Sequence, residues 1–201
     1  MNKRLLFRAV STLALVAVVT LGGCAVAPPE RFYRLAVPRA PTATPVAVGA
    51  PVIAVGAVVL PDWVDRPQIA TLGPGSRVQV PEMHRWAEPL RPAIGRVVAE
   101  QLSAALGAPL VYAYPQAAVA EPAFRVTLNV QRFDAELGGA VNDEVLWTVR
   151  RVADGALRSG RSAGRALMAE ASHDALAAAH VEALGSVSRE IALAIGELAP
   201  R

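Results

Sequence analysis

Residues 124–133 read Phe-Arg-Val-Thr-Leu-Asn-Val-Gln-Arg-Phe, an alternation that places Phe124, Val126, Leu128 and Val130 on one face. A two-residue apolar period is the mark of a strand with one buried face. Downstream, Glu144–Val152 and Ala156–Leu167 flank Asp154-Gly155, a two-residue turn signal that predicts an antiparallel hairpin. The period then changes. Leu176, His180, Leu184, Val187, Ile191, Ile195 and Leu198 recur at helical spacing, with Asp174 near the start, so a helix is expected over His173–Leu198.

Upstream, Trp86, Leu90, Ile94, Val97, Val98, Gln101, Leu102, Ala105 and Leu106 mark a first helix that Gly107 closes. Pro89 and Pro92 are tolerable there only near the first turn, where their missing N–H groups would have no partner anyway. Strands are expected at Arg31–Val37, at Ile69–Leu72 and Arg77–Val80 around the Gly73-Pro74-Gly75-Ser76 turn, and at Leu110–Tyr114. Val52–Leu60 is nearly unbroken in β-branched and apolar residues, which predicts a strand buried on both faces. Strands, helix, strands, helix implies an α/β fold: a mixed β-sheet with two amphipathic helices packed on one face, in one domain.

The first residues are of another kind. Lys3, Arg4 and Arg8 precede an apolar run of about 13 residues, Ala9–Leu21, too short for a bilayer-spanning helix of ~20. A basic start, a short apolar run and small residues after it predict a secretory signal peptide over 1–23. Leu21-Gly22-Gly23-Cys24 ends it, and Cys24 is the sole cysteine of the chain, which rules out a disulfide framework. This ending resembles the lipobox of bacterial lipoproteins. The resemblance implies that Cys24 is acylated and becomes the N-terminus, and that 24–31 is a tether to a domain at 32–199. Ala25, where an aspartate would retain a lipoprotein at the inner membrane, implies sorting to the outer membrane of a Gram-negative cell.

Charge and composition narrow the function. The chain carries 20 Lys+Arg against 17 Asp+Glu, but three of the basic residues lie in the leader, which holds no acid. The mature chain is therefore neutral and has no electrostatic footprint for nucleic acid. Lys3 is the only lysine, so the mature chain supports no Schiff base, pyridoxal attachment or P-loop. Gly160-Arg161-Ser162-Ala163-Gly164 is a literal G-x-S-x-G, with Asp174 and His180 following in hydrolase order. A nucleophile elbow, however, needs a buried strand before it and a helix directly after it, whereas this motif lies inside a polar strand. His84 stands apart from His173, and His180 is expected on a helix flank, so no metal site is expected. Asp143-Glu144 and Asp62/Asp65 read as solvated turns. No catalytic residue and no cofactor emerge, and the protein reads as a non-enzyme.

Two stretches remain, Leu60–Ile69 and Glu82–Leu90, each setting a tryptophan among arginine and acid. Trp63, Arg66, His84 and Trp86 are candidates for a partner or oligomer interface, where Trp and Arg are enriched. The competing reading makes both tryptophans core anchors. These stretches, with the Gly-rich turn, His84-Arg85-Trp86-Ala87-Glu88-Pro89-Leu90 opening a helix, Phe124-Arg125-Val126 and Arg132-Phe133-Asp134, resemble the PqiC (YmbA-like) family. These are the ABC-type transport auxiliary lipoproteins of Gram-negative bacteria, and the likeness runs from about Phe32 to Leu198. It implies an outer-membrane lipoprotein facing the periplasm, held by its acyl chains. It implies docking with an MCE-domain tunnel protein in intermembrane lipid transport, and assembly as a homo-oligomer, a ring. The alternative is a periplasmic lipoprotein holding a lipid or other ligand itself; only 10 aromatic residues argue against a large pocket of its own.

Overall fold

The computed structural model describes residues 28–38, 51–107, 110–114 and 121–199; the expected leader and Cys24 lie outside them. The strands are β1 (Arg31–Tyr33), β2 (Ile53–Val59), β3 (Thr71–Leu72), β4 (Val78–Gln79), β5 (His84–Trp86), β6 (Val111–Ala113), β7 (Phe124–Ala135), β8 (Ala140–Arg151) and β9 (Leu157–Leu167). Helix α1 spans Leu90–Leu106 and helix α2 spans His173–Leu198. A five-stranded sheet runs in the order β6-β2-β7-β8-β9, with β2 parallel to both its neighbours and β7, β8 and β9 an antiparallel meander. The expected mixed sheet carries both helices on one face. Leu90, Ile94, Val98 and Leu102 of α1 and Leu176, Leu184, Ile191 and Ile195 of α2 bury against Ile53, Val55, Phe124, Val126, Leu128 and Val149. Each such fully buried side chain contributes roughly 1.5–3 kcal/mol. Among the described residues no helix is long and apolar enough to cross a membrane.

Local chemistry explains the boundaries. Helix α1 starts at Leu90 rather than Trp86, because Pro89 is its N-cap and Pro92 falls in its first turn. Trp86 instead ends β5, which pairs in parallel with β1. Gly107 closes α1 at φ 59, the left-handed conformation that costs glycine least. Ser172 caps α2, its Oγ accepting from the Ala175 N–H at 3.1 Å. The two helices are joined by Gln101, which donates to the Val181 carbonyl at 2.7 Å and accepts from Ser188 Oγ at 3.0 Å.

Four expectations are corrected. The strand expected over Arg31–Val37 ends at Tyr33, since Leu35 turns inward to full burial and its carbonyl accepts from Arg96 Nη2 at 2.8 Å. Strand β2 is buried on both faces only over Ile53–Val55; a bulge at Gly56 follows, and Ala57 and Val59 face solvent. Strand β8 begins at Ala140, not Glu144, because Gly138 at φ 81 allows a tight turn directly after β7. Asp143 consequently sits within the sheet, 1% exposed, and is no solvated turn residue. Asp65 is likewise engaged, in an ion pair with Arg91 at 2.5 Å.

Candidate functional site

The G-x-S-x-G motif occupies β9, and alternation decides what each member does. Gly160, Ser162 and Gly164 point toward the helices, while Arg161 and Ala163 point to solvent. A Cβ on Gly164 would stand 2.1 Å from the Ala183 carbonyl oxygen of α2, and one on Gly160 would stand 2.3 Å from the Trp147 ring. The glycines are spacers for close packing. Ser162 is 1% exposed; its Oγ accepts the Trp147 indole N–H at 2.7 Å and donates to Glu190 of α2. The hydroxyl thus satisfies a buried indole, which would otherwise be left without a partner.

His180 lies elsewhere. It stands ten residues before Glu190 on α2, about 15 Å along the axis. It is no flank residue: it is 1% exposed, its Nδ1 is 2.8 Å from Asp143 Oδ1, and its ring stacks on Phe133 at 3.7 Å between centroids. Burial raises the Asp143 carboxyl above its ordinary 3.8, against the opposing pull of His180. Asp174, in the first turn of α2, is farther still from Ser162. Ser162 and His180 are therefore held in separate bonds, with Asp174 farther along α2, and the three form no relay.

The two tryptophan-bearing stretches do come together. Ile69 N–H donates to the His84 carbonyl at 2.9 Å, Trp86 N–H to Pro67 at 2.7 Å, and Arg31 N–H to Met83 at 2.7 Å. β1, β5 and residues 67–69 so form one small layer beside the main sheet. Within it Trp86 is 8% exposed and belongs to the core, whereas Trp63 is half-buried against that core and Arg66 is exposed. His84 does not stand apart from His173: their rings stack at 3.7 Å, and His84 Nδ1 hydrogen-bonds the Tyr33 hydroxyl at 2.8 Å. His173 is pushed below its ordinary 6.5, first by burial, then by His84 and Arg31, with Asp174 opposing. Its buried Nε2 has no hydrogen-bond partner among the described residues. No local pattern announces this pairing, since the two histidines are 89 positions apart and the β1–β5 pairing brings His84 to the start of α2. Among the described residues no group of three or more His, Cys, Asp or Glu could hold a metal ion.

The family described as ABC-type transport auxiliary lipoprotein component matches residues 33–192, from the end of β1 to the last third of α2. The chain belongs to this family. The likeness to PqiC (YmbA-like) lipoproteins read from the tryptophan-bearing stretches holds, and an auxiliary lipoprotein of ABC-type transport it is. Solved structures share its fold. One, a crystal structure of an uncharacterized protein, superposes with a TM-score of 0.66 at 17% identity, covering 84% of this chain and 99% of that one. Another, of a protein from Xanthomonas campestris, gives a TM-score of 0.62 at 19% identity, covering 84% and 98%. No curated protein matches the auxiliary lipoprotein.

Proposed function

We propose that this auxiliary lipoprotein is held in the outer membrane through acylated Cys24, faces the periplasm, and docks an MCE-domain tunnel protein in intermembrane lipid transport, catalysing no reaction. Residues 1–23 are its signal peptide, 24–31 its tether and 32–199 its docking domain. Family membership over residues 33–192 carries the reading, joined to the Leu21-Gly22-Gly23-Cys24 ending. The binding of Ser162 to Trp147 and Glu190, and of His180 to Asp143, supports a structural use of the residues that most resemble a catalytic set. Of the candidate interface residues, Arg66, Trp63 and His84 retain exposed surface for a partner or a neighbouring copy in a ring. A ring needs head-to-tail contacts, so two different patches of each copy must be used. One acyl chain anchors marginally and several anchor stably, so a ring of lipidated copies would be held firmly to one leaflet.

The test is a pull-down of the tagged full chain from detergent-solubilised membranes. An MCE-domain protein should co-purify, and Arg66→Glu should reduce its recovery at equal bait. Cys24→Ser should move the chain out of the membrane fraction. Recovery of lipid with no protein partner would overturn the docking reading, and full membrane retention of Cys24→Ser would overturn the anchor.

A further inference from the structure

Neither helix covers the second face of the main sheet. On it the β7–β8 register sets Arg125 directly opposite Arg150, and Thr127 opposite Thr148. Like charges directly across two strands are destabilising, so this pairing calls for a reason. Glu121 compensates weakly: it meets Arg125 at 3.4 Å where both side chains are largely in water. Arg150 has no ion pair among the described residues. Three other arginines of β8 and β9 are paired, Arg161 with Glu144, Arg151 with Asp154 at 2.5 Å and Arg158 with Glu197 at 3.3 Å, while Arg165 of β9, like Arg150, has no ion pair among the described residues.

A groove of about 400 Å³ runs over this arginine pair. Its depth comes from the neighbouring strand, where Ala54 lies opposite Arg125 and Gly56, at the bulge, contributes no side chain. On the other side Leu157 pairs with Arg150 and is 55% exposed. The groove therefore combines two guanidinium groups and a threonine hydroxyl, Thr127, with an apolar wall. Thr148 is already engaged with Ser159 at 2.9 Å. Guanidinium forks match the oxygens of phosphate, and one anion between two of them offsets their repulsion. The apolar wall is suited to a glycerol or acyl portion beside that anion.

We infer that this groove binds a single anionic glycerophospholipid, its phosphate between Arg125 and Arg150 and its apolar part along Ala54 and Leu157. The choice of a lipid over free phosphate rests on the lipid-transport reading above and on Leu157. The site would give the auxiliary lipoprotein direct contact with the cargo, beyond docking alone.

The experiment is a calorimetric titration of the full chain, in a non-ionic detergent free of phosphate, with dihexanoyl phosphatidylglycerol, with inorganic phosphate and with dihexanoylglycerol. Saturable binding is expected for the phospholipid, at least tenfold tighter than for phosphate and absent for the phosphate-free lipid. Arg125→Gln and Arg150→Gln should each weaken it roughly tenfold or more, as losing a charge-assisted hydrogen bond does. Arg165→Gln, on the same face but outside the groove, should leave it unchanged. Equal binding by the Arg125→Gln/Arg150→Gln chain would reduce the signal to partition into micelles and overturn the site. Equal affinity for phosphate and phospholipid would overturn the lipid assignment. No partner protein is present, so a failed pull-down and a failed titration are separate results.

Discussion

Gly164→Ala adds one methyl group at the point where β9 touches α2. The new Cβ would stand 2.1 Å from the Ala183 carbonyl oxygen, 2.6 Å from its carbon and 2.9 Å from its Cα, where ordinary contact begins at 3.4 Å. Relief requires the backbones to part by about 1.3 Å, because no flexible side chain can swing aside. A gap of 0.5–1 Å already forfeits a quarter to a half of each contact's attraction, and the seam beside Gly164 includes Ala183, Leu184 and Val187. Overpacking typically costs 1–3 kcal/mol; with backbone as the obstacle we expect about 3 kcal/mol. Against a domain stability of roughly 5–15 kcal/mol, the variant stays folded. With a urea slope of about 2 kcal/mol/M, its midpoint should fall by about 1.5 M. Gly196→Ala is the paired control: it lies in the last turns of α2 with nothing within 4 Å of the added Cβ. It should stabilise by up to about 0.5 kcal/mol, since alanine loses less entropy in a helix. Urea unfolding followed by far-ultraviolet circular dichroism reads both. A Gly164→Ala midpoint within about 0.3 M of the parent would refute the spacer role.

Two further outcomes follow from buried polar groups. Ser162→Ala leaves the Trp147 indole N–H unpaired and should cost about 1–3 kcal/mol in the same unfolding assay, while envelope-barrier function persists at matched protein levels; loss of function at unchanged stability would restore a catalytic serine. His173 is depressed below its ordinary 6.5, so the unfolded chain takes up its proton first. The contribution is whole above 6.5 and is lost as the pH falls below it. His173→Phe keeps a stacking ring against His84 and should flatten the fall in urea midpoint between pH 7.5 and 5.5; an unchanged slope would count against it. The raised Asp143 carboxyl acts with the opposite sign, but it is present in both chains and cancels from the comparison.

The sequence alone reveals the element types, the one-faced helical cover and the family. Those properties live in local periodicity: the alternation from Phe124, the Asp154-Gly155 turn and the stripe from Leu176 to Leu198 each report burial within a few residues. It also argued correctly that a G-x-S-x-G inside a strand is not an elbow. What the glycines are for was illegible, because the atoms they make room for, Ala183 and the Trp147 ring, are met only once β9 packs on α2 and β8. The same holds for charge and for pairs distant along the chain. His84 meets His173, and Asp143 meets His180, through strand pairing and helix packing that no spacing encodes. Arg125 and Arg150 look like two ordinary solvent-facing arginines of two strands; only the β7–β8 register sets them side by side. Periodicity tells which face of an element is buried, and tertiary register alone decides what that face, or its opposite, is set against.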